Sequence, residues 1–340
     1  MTVKLVDIAK HVGLSVSTVS RVVNGKDRVS AKTRQRVLDA IKELNYQPNA
    51  IARSLRSRSS MTIGIVVPDL SNNFFTLLTK GAGMIAKQDD YLVMLCNSEY
   101  DEQMEQEFVR LLMQKQVDGM ILATVCKDPD YFRELINMDI PVVFVDNLPK
   151  VDANYDFVTI DNSKSSYVLT KHLLDLGYKD VAILTGSLHE TSAVERLTGW
   201  KRAMEQYGIP VNEDFVGIGD FRLESGYALM NSMLELERRP KALLASNNFM
   251  AYGAIKAALQ KGLRVPDDLY VVCFDAVDHT GLIDIKIPSM VQPAEKIGEI
   301  AATTIIKKIH GKDYRVYDNV ILEPVFNTAG LLQNVPKVSG

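Results

Sequence analysis

The sequence predicts two fold types in one chain. An all-α helix-turn-helix headpiece comes first, then an α/β core of two lobes with parallel sheets and helices on both faces. Three observations predict this. Residues 6–25, "VDIAKHVGLSVSTVSRVVNG", read as two short helices broken at Gly13-Leu14-Ser15. Beyond residue 60, short β-rich runs alternate with helical stretches. Charge divides at the same place: residues 1–60 carry 12 Lys+Arg against 4 Asp+Glu, a net +8. The total of −3 therefore leaves −11 for residues 61–340.

Two helices joined by a tight turn containing Gly match the unit whose second helix enters a major groove. On that second helix Val16, Ser17 and Thr18 are short enough to let the backbone approach base edges. Ser20 follows, and Arg21 can fork onto guanine. Ile8, Ala9, Val12, Val19 and Val22 recur at helical spacing and belong to the headpiece core. A third helix, from about Ala31 to Asn45, carries Val37, Leu38, Ile41 and Leu44 as its buried stripe. Lys32, Arg34 and Arg36 near its start suit solvent as well as phosphate. A basic module on an acidic body is what an anionic polymer partner requires.

The next stretch, "NYQPNAIARSLRSRSS" (45–60), holds a stop at Pro48, and Asn49 can cap a fresh helix. Ala50, Ile51, Ala52 and Leu55 bury too little apolar surface to fold alone, so the segment is expected to order on binding. Leu55, a leucine among arginines, suits a wedge into a minor-groove step. The competing reading is a plain linker.

The core alternates "TIGIVVPD" (62–69), "YLVMLCNS" (91–98), "GMILATV" (119–125) and "PVVFVDN" (141–147) with helices. A second series follows: "DFVTID" (156–161), "DVAILTG" (180–186), "ALLASNN" (242–248) and "DLYVVCFD" (268–275). Such alternation implies parallel sheets with right-handed crossovers and ligands beyond the carboxyl ends of the strands. Polar residues collect there: Asp69, Asn97, Asp146, Asn147, Asp161, Asn247 and Asp275. Carboxylates and amides beside the rings of Phe74, Phe75 and Phe221 suit the hydroxyls and apolar face of a sugar. Arg196 adds a forked donor. Singly, each phenylalanine reads as core and the arginine as a surface ion pair. Trp200 reads as core.

Other classes lack their signatures. "GIGDFR" (217–222) has two of the dinucleotide fingerprint's glycines, and no phosphate loop ending in Gly-Lys-Ser/Thr occurs. His11, His172, His189, His279 and His310 are scattered without metal spacing, and no G-x-S-x-G is present. No catalytic residue, metal or cofactor is therefore expected. Cys96, Cys126 and Cys273 read as free thiols of a reducing compartment. No run approaches the ~18 apolar residues of a membrane span, and Met1-Thr2-Val3-Lys4 begins no apolar signal core. The expected location is cytoplasmic.

Residues 6–55 resemble the headpiece of the lactose-repressor/galactose-repressor (LacI/GalR) family in "VDIAKHVGLSVSTVSRVVNG", "TRQRVLDAIKELNYQPN" and "ARSL". The likeness continues to about Leu331. It implies a transcriptional regulator, a repressor, that binds double-stranded palindromic operator DNA as a homodimer. In the family, residues matching Val16, Ser17 and Arg21 read the half-site, and the residue matching Leu55 intercalates beside its twin. Thr18, Ser20, Asn24, Asn49 and Ala52 complete the expected DNA-binding set.

The core is similar to periplasmic sugar-binding proteins. In pentose-binding members, ligand contacts fall at positions matching Asn72, Phe74, Phe75, Asp146, Asn147, Arg196, Phe221, Asn247, Asp275 and Gln292. The implied effector is a small-molecule sugar, a pentose such as ribose. Departures from the pentose pattern are Asn73 for Pro, Asn147 for Arg, Asn248 for Asp, and Phe274-Asp275-Ala276 for an Asp-Asp pair. Losing the arginine at 147 removes a cation, which leaves a neutral sugar in place without selecting one. Relatives that answer to a purine or a phosphoprotein partner supply the alternative reading, and a nicotinamide-dependent enzyme the remote one.

The expected domains are 1–48, DNA-binding; 49–60, hinge helix or linker; 61–331, effector-binding and dimerisation core; and 332–340, tail. The lobes comprise 62–161 with 291–322, and 162–290 with 323–331, crossing near Asp161, Val291 and Glu323 and closing by hinge motion. The tail "QNVPKVSG" offers no leucine heptads for a tetramer bundle, so a dimer is expected.

Overall fold

The structure, a computed structural model, describes residues 3–23, 29–46, 59–275, 287–311 and 317–328. The chain divides into two units, Met1–Ser60 and Met61–Gly340.

The first unit holds α1 (Leu5–Val12), α2 (Val16–Val23) and α3 (Ala31–Glu43). Gly13 ends α1 at φ +64°, a conformation glycine reaches without a Cβ penalty. Its N–H bonds Lys10 O while the Leu14 N–H bonds Ala9 O at 3.0 Å, the paired closure of a Schellman turn. Ser15 then caps α2, its hydroxyl accepting the Thr18 N–H at 3.2 Å. Ile8, Ala9, Val12, Val19, Val22 and Val37 pack as the core. Leu38 departs from the expected stripe: it is 39% exposed, and Ala40 is buried instead. One residue on from Val37 lies about 100° around the helix, which carries Leu38 off the packed side.

In the second unit β1 (Thr62–Val67), α4 (Asn73–Gln88), β2 (Leu92–Asn97), α5 (Glu102–Gln114), β3 (Gly119–Leu122), α6 (Pro129–Ile136), β4 (Val142–Val145) and β5 (Asp156–Ile160) form most of one lobe. The other lobe follows with α7 (Asn162–Asp175), β6 (Val181–Thr185), α8 (Thr191–Gln206), β7 (Val216–Ile218) and α9 (Leu223–Met233). It continues with β8 (Ala242–Ala245), α10 (Asn248–Gln260), β9 (Tyr270–Phe274) and β10 (Ser289–Val291). Then α11 (Ala294–Ile309) packs on α4, β11 (Asn319–Leu322) joins the first sheet and β12 (Val325–Asn327) the second. The strands β7, β10 and β12, three residues each, and the partly exposed β11 lack the continuous buried apolar run that reveals β3, β4 and β8.

The sheets run β11-β5-β4-β3-β1-β2 and β12-β10-β9-β8-β6-β7. Every pairing is parallel except that of β10 with β12. Strands β3, β4 and β8 are buried along their whole length, as a parallel sheet covered by helices on both faces requires. Edge strand β2 is the opposite case, leaving Leu92 71% exposed with Met94 and Leu95 also open. Both windings reverse direction, between β1 and β3 and between β6 and β8, opening a crevice at the carboxyl ends of the strands.

A buried ion pair anchors the return of the chain. Lys308 on α11 donates to Asp156 Oδ2 at 2.5 Å, and Asp156 Oδ1 accepts the Asp318 N–H at 2.9 Å. Trp200 is wholly buried, and Cys96, Cys126 and Cys273 are not joined in disulfides. Among the described residues no helix is long and apolar enough to cross a membrane.

Candidate functional site

On the headpiece, α2 turns Val16, Ser17 and Arg21 outward, with Val16 45% exposed, while Thr18 is half-buried. The Ser15 hydroxyl lies 2.8 Å from those of both Ser17 and Thr18, so the three hydroxyls form one linked group. Ser20 differs from expectation: it is 8% exposed, on a buried arc of α2 that it shares with Val19 and Val22. Arg36 is drawn into the fold, its guanidinium donating to Val12 O at the end of α1. Asn24, Asn49, Ala52 and Leu55 lie outside the described residues.

In the second unit a narrow cavity opens at the carboxyl ends of both sheets. Asn72, Phe74 and Phe75 reach it from the start of α4, Asp146 from beyond β4, and Gln292 from beyond β10. Arg196 on α8, Phe221, Asn247 and Asp275 supply the second lobe's wall. Asn72 and Asn247 are helix caps: Asn72 Oδ1 accepts the Phe74 N–H at 3.0 Å, and Asn247 Oδ1 the Met250 N–H at 2.8 Å. The Asn247 amide also donates to Phe221 O at 2.7 Å. Phe74 and Phe75 meet edge-to-face with centroids 5.0 Å apart.

Backbone strain aims several of these side chains. Tyr100, Asp146, Phe221 and Asp275 all line the cavity, and all four have φ between +57° and +64°. Non-glycine residues hold that region at a cost of about 1–3 kcal/mol, and such strain clusters at ligand clamps. Gly186 makes room for one of them, since a Cβ there would lie 2.0 Å from the Phe221 ring.

Arg196 is buried, its plane 4.0 Å over the Phe274 ring. Its Nε donates to Asn162 Oδ1 at 2.8 Å, and one terminal nitrogen donates to Ser246 O. Asp275 accepts the Gln292 N–H at 2.9 Å and the Gln292 amide at 2.6 Å. Burial raises the carboxyl of Asp275 despite these bonds. Burial, reinforced by Asp275 and opposed by Arg196, raises Asp146 to about 6. Burial also lifts Glu190 to about 7, with Asp146 adding to the rise and the Asn147 amide opposing it.

Asn147 stands behind the wall, bonded to Glu190 and to the Ser192 N–H. Pro68, Tyr100, Glu190 and Ser192 line the cavity without having been anticipated. The position of Glu190, between strand β6 and helix α8 in "TGSLHETSAVER", was the available signal. Asp69, Asn97 and Asp161 lie off the cavity wall: they bond the N–H groups of Ser71, Leu70 and Lys164. Among the described residues no group of His, Cys, Asp and Glu could hold a metal ion. The arrangement can bind a polar ring between aromatic faces.

Two family descriptions match the chain: "Bacterial regulatory proteins, lacI family" over residues 4–49, and "Periplasmic binding proteins and sugar binding domain of LacI family" over residues 60–329. It is 33% identical over 319 residues to the HTH-type transcriptional repressor PurR of Histophilus somni, covering 92% of this chain and 94% of that one. It is 35% identical over 311 residues to the ribose operon repressor of Halalkalibacterium halodurans, covering 92% of each. Among solved structures it resembles the lac repressor dimer bound to operator and the anti-inducer ONPF, with TM-score 0.84 and 27% identity. That match covers 97% of this chain and all of the other.

Proposed function

The chain belongs to the LacI family of bacterial regulatory proteins, and from that premise we propose that it represses transcription in response to a small free sugar held in the cleft between its lobes. It is a DNA-binding transcriptional repressor of the bacterial cytoplasm, not an enzyme. Binding operator DNA and a small-molecule effector follows from that membership.

What supports the sugar is the convergence of Asp146, Glu190, Asp275 and the Arg196 guanidinium with the rings of Phe74 and Phe221 on one cavity. What supports a dimer on a two-fold operator is the apolar strip Leu92, Met94 and Leu95 on edge strand β2, which a second copy would cover. One short recognition helix also reads too few bases alone.

A thermal shift assay with free sugars against purine bases tests the effector class, because a ligand of the native state raises the melting temperature. A shift with a monosaccharide supports the reading. A shift with a purine base alone moves this chain to the class suggested by its PurR relative.

A further inference from the structure

Charge within the cavity is unbalanced. Asp146, Glu190 and Asp275 line it, and Arg196 is the sole cation among the described lining residues. Arg196 is committed to Asn162, Ser246 and the face of Phe274, so one fixed positive charge faces three acids. Asp275 has both oxygens occupied by Gln292. The other two acids differ. Glu190 receives the Asn147 amide on Oε2, and the Asp146 side chain takes no hydrogen bond from the described residues, only its backbone carbonyl accepting one, from Thr159.

Two neighbouring acids short of donors, on opposite lobes and walled by aromatic rings, need protons, and a ligand can bring them. A hydroxyl brings one donor and no charge. An ammonium brings three donors and a second positive charge to set against the three acids.

Resting on the sugar reading above, we infer that the effector is an amino sugar, its ammonium seated between Asp146 and Glu190 and its hydroxyls on the Arg196 and Asn247 side. Glu190 is then the residue that sets specificity. It selects a cationic nitrogen and repels phosphorylated or carboxylated sugars, which would add a like charge to the cleft.

Calorimetry on the full chain at pH 7.5 tests this with D-glucosamine, D-galactosamine, N-acetyl-D-glucosamine, D-glucose, D-ribose and glucose 6-phosphate. At least one free amino sugar is expected to bind about tenfold or more tighter than every neutral sugar, with glucose 6-phosphate not binding. Glu190→Gln and Asp146→Asn should each lose about tenfold in affinity for the amine and narrow its margin over D-glucose. Asp146→Asn, which leaves the Asn147–Glu190 bond in place, separates charge from closure. Tighter binding of ribose or glucose than of either amine overturns the inference and leaves the sugar reading intact. An amine preference unchanged in both variants overturns it too. Failure of every one of these sugars to bind, with a purine base alone raising the melting temperature in the thermal shift assay, overturns the sugar reading itself.

Discussion

Asn147 on one lobe and Glu190 on the other are joined across the cleft by a 2.8 Å hydrogen bond from the Asn147 amide to Glu190 Oε2. The same asparagine accepts the Ser192 N–H at 3.1 Å, and the Leu148 N–H reaches the Thr191 hydroxyl at 2.8 Å. The turn after β4 is thus stitched to the first turn of α8. A second stitch lies nearby, where Arg222 donates to Glu99 O at 2.9 Å beside the Tyr100 ring. Contacts that exist only with the lobes together make closure a state that an effector can favour, by bonding to both walls at once.

Asn147→Ala should weaken effector binding by about ten- to a hundredfold, because it removes two bonds and leaves Glu190 without a donor. Calorimetry reads the affinity, and small-angle scattering reads the wider separation of the lobes. Unchanged affinity would show that closure does not run through this pair.

Arg196→Ala should cost more than a binding contact. The guanidinium is buried among Asp146, Glu195 and Asp275, so its loss strands like charges and should destabilise the fold by ~3–5 kcal/mol. Urea denaturation checks this. Asp275→Asn, which keeps an acceptor for Gln292, should cost effector affinity with a smaller loss of stability.

Stability should fall as pH rises through the range set by Glu190 and Asp146. Their carboxyls are raised to about 7 and about 6, so the folded state holds protons that the unfolded chain releases near the ordinary carboxylate range. The destabilisation is absent below about pH 4, grows between, and is complete above about pH 7, on the order of 1–3 kcal/mol after allowing for partial exposure. Glu105, also raised to about 7 by burial, titrates in the same window. The measurement is therefore the difference in melting temperature between wild type and Glu190→Gln at pH 5 and pH 8. The variant should show the flatter slope.

Arg21→Ala should weaken specific operator binding by ~1–3 kcal/mol and relax the sequence preference at the base it reads. Ser15→Ala should act at a distance from the bases, loosening α2 by about 1 kcal/mol through loss of its cap. Fluorescence anisotropy with operator and scrambled DNA separates the two, since only Arg21→Ala narrows the gap between them.

Leu55→Ala should reduce operator affinity by a few kcal/mol and abolish DNA bending, as loss of an intercalating wedge requires. Effector affinity should not change. Operator affinity and bending that both survive would reduce this segment to a linker.

Much of the molecule was legible along the chain, because the signals are local. The buried periodicity of Ile8, Val12, Val19 and Val37, the break at Gly13 and the long strand runs each depend on near neighbours. Errors arose where one residue decides a face. Leu38 and Ser20 each sit one step from a core valine, and a period of 3.6 does not say how wide the buried arc will be. The three-residue strands β7, β10 and β12 and the partly exposed β11 hold their places by pairing, which leaves no buried run in the sequence.

The sequence by itself determined the headpiece, the alternation that commits the core to parallel sheets, and the ends of the strands where a ligand must sit. The tertiary structure alone decided which strand-end polar groups bond backbone N–H groups away from the cavity, as Asp69, Asn97 and Asp161 do, and which face it. It also decided that Glu190 and Tyr100 belong to that cavity, and that Arg196 is held as much by Phe274 and Ser246 as by any ligand. The physical reason is separation. Asn147 meets Glu190 across 43 residues, and Arg196 meets Ser246 across 50. Such meetings are fixed by the order in which strands pair and by which carboxylate burial leaves without a donor, and neither is written in any local stretch of chain.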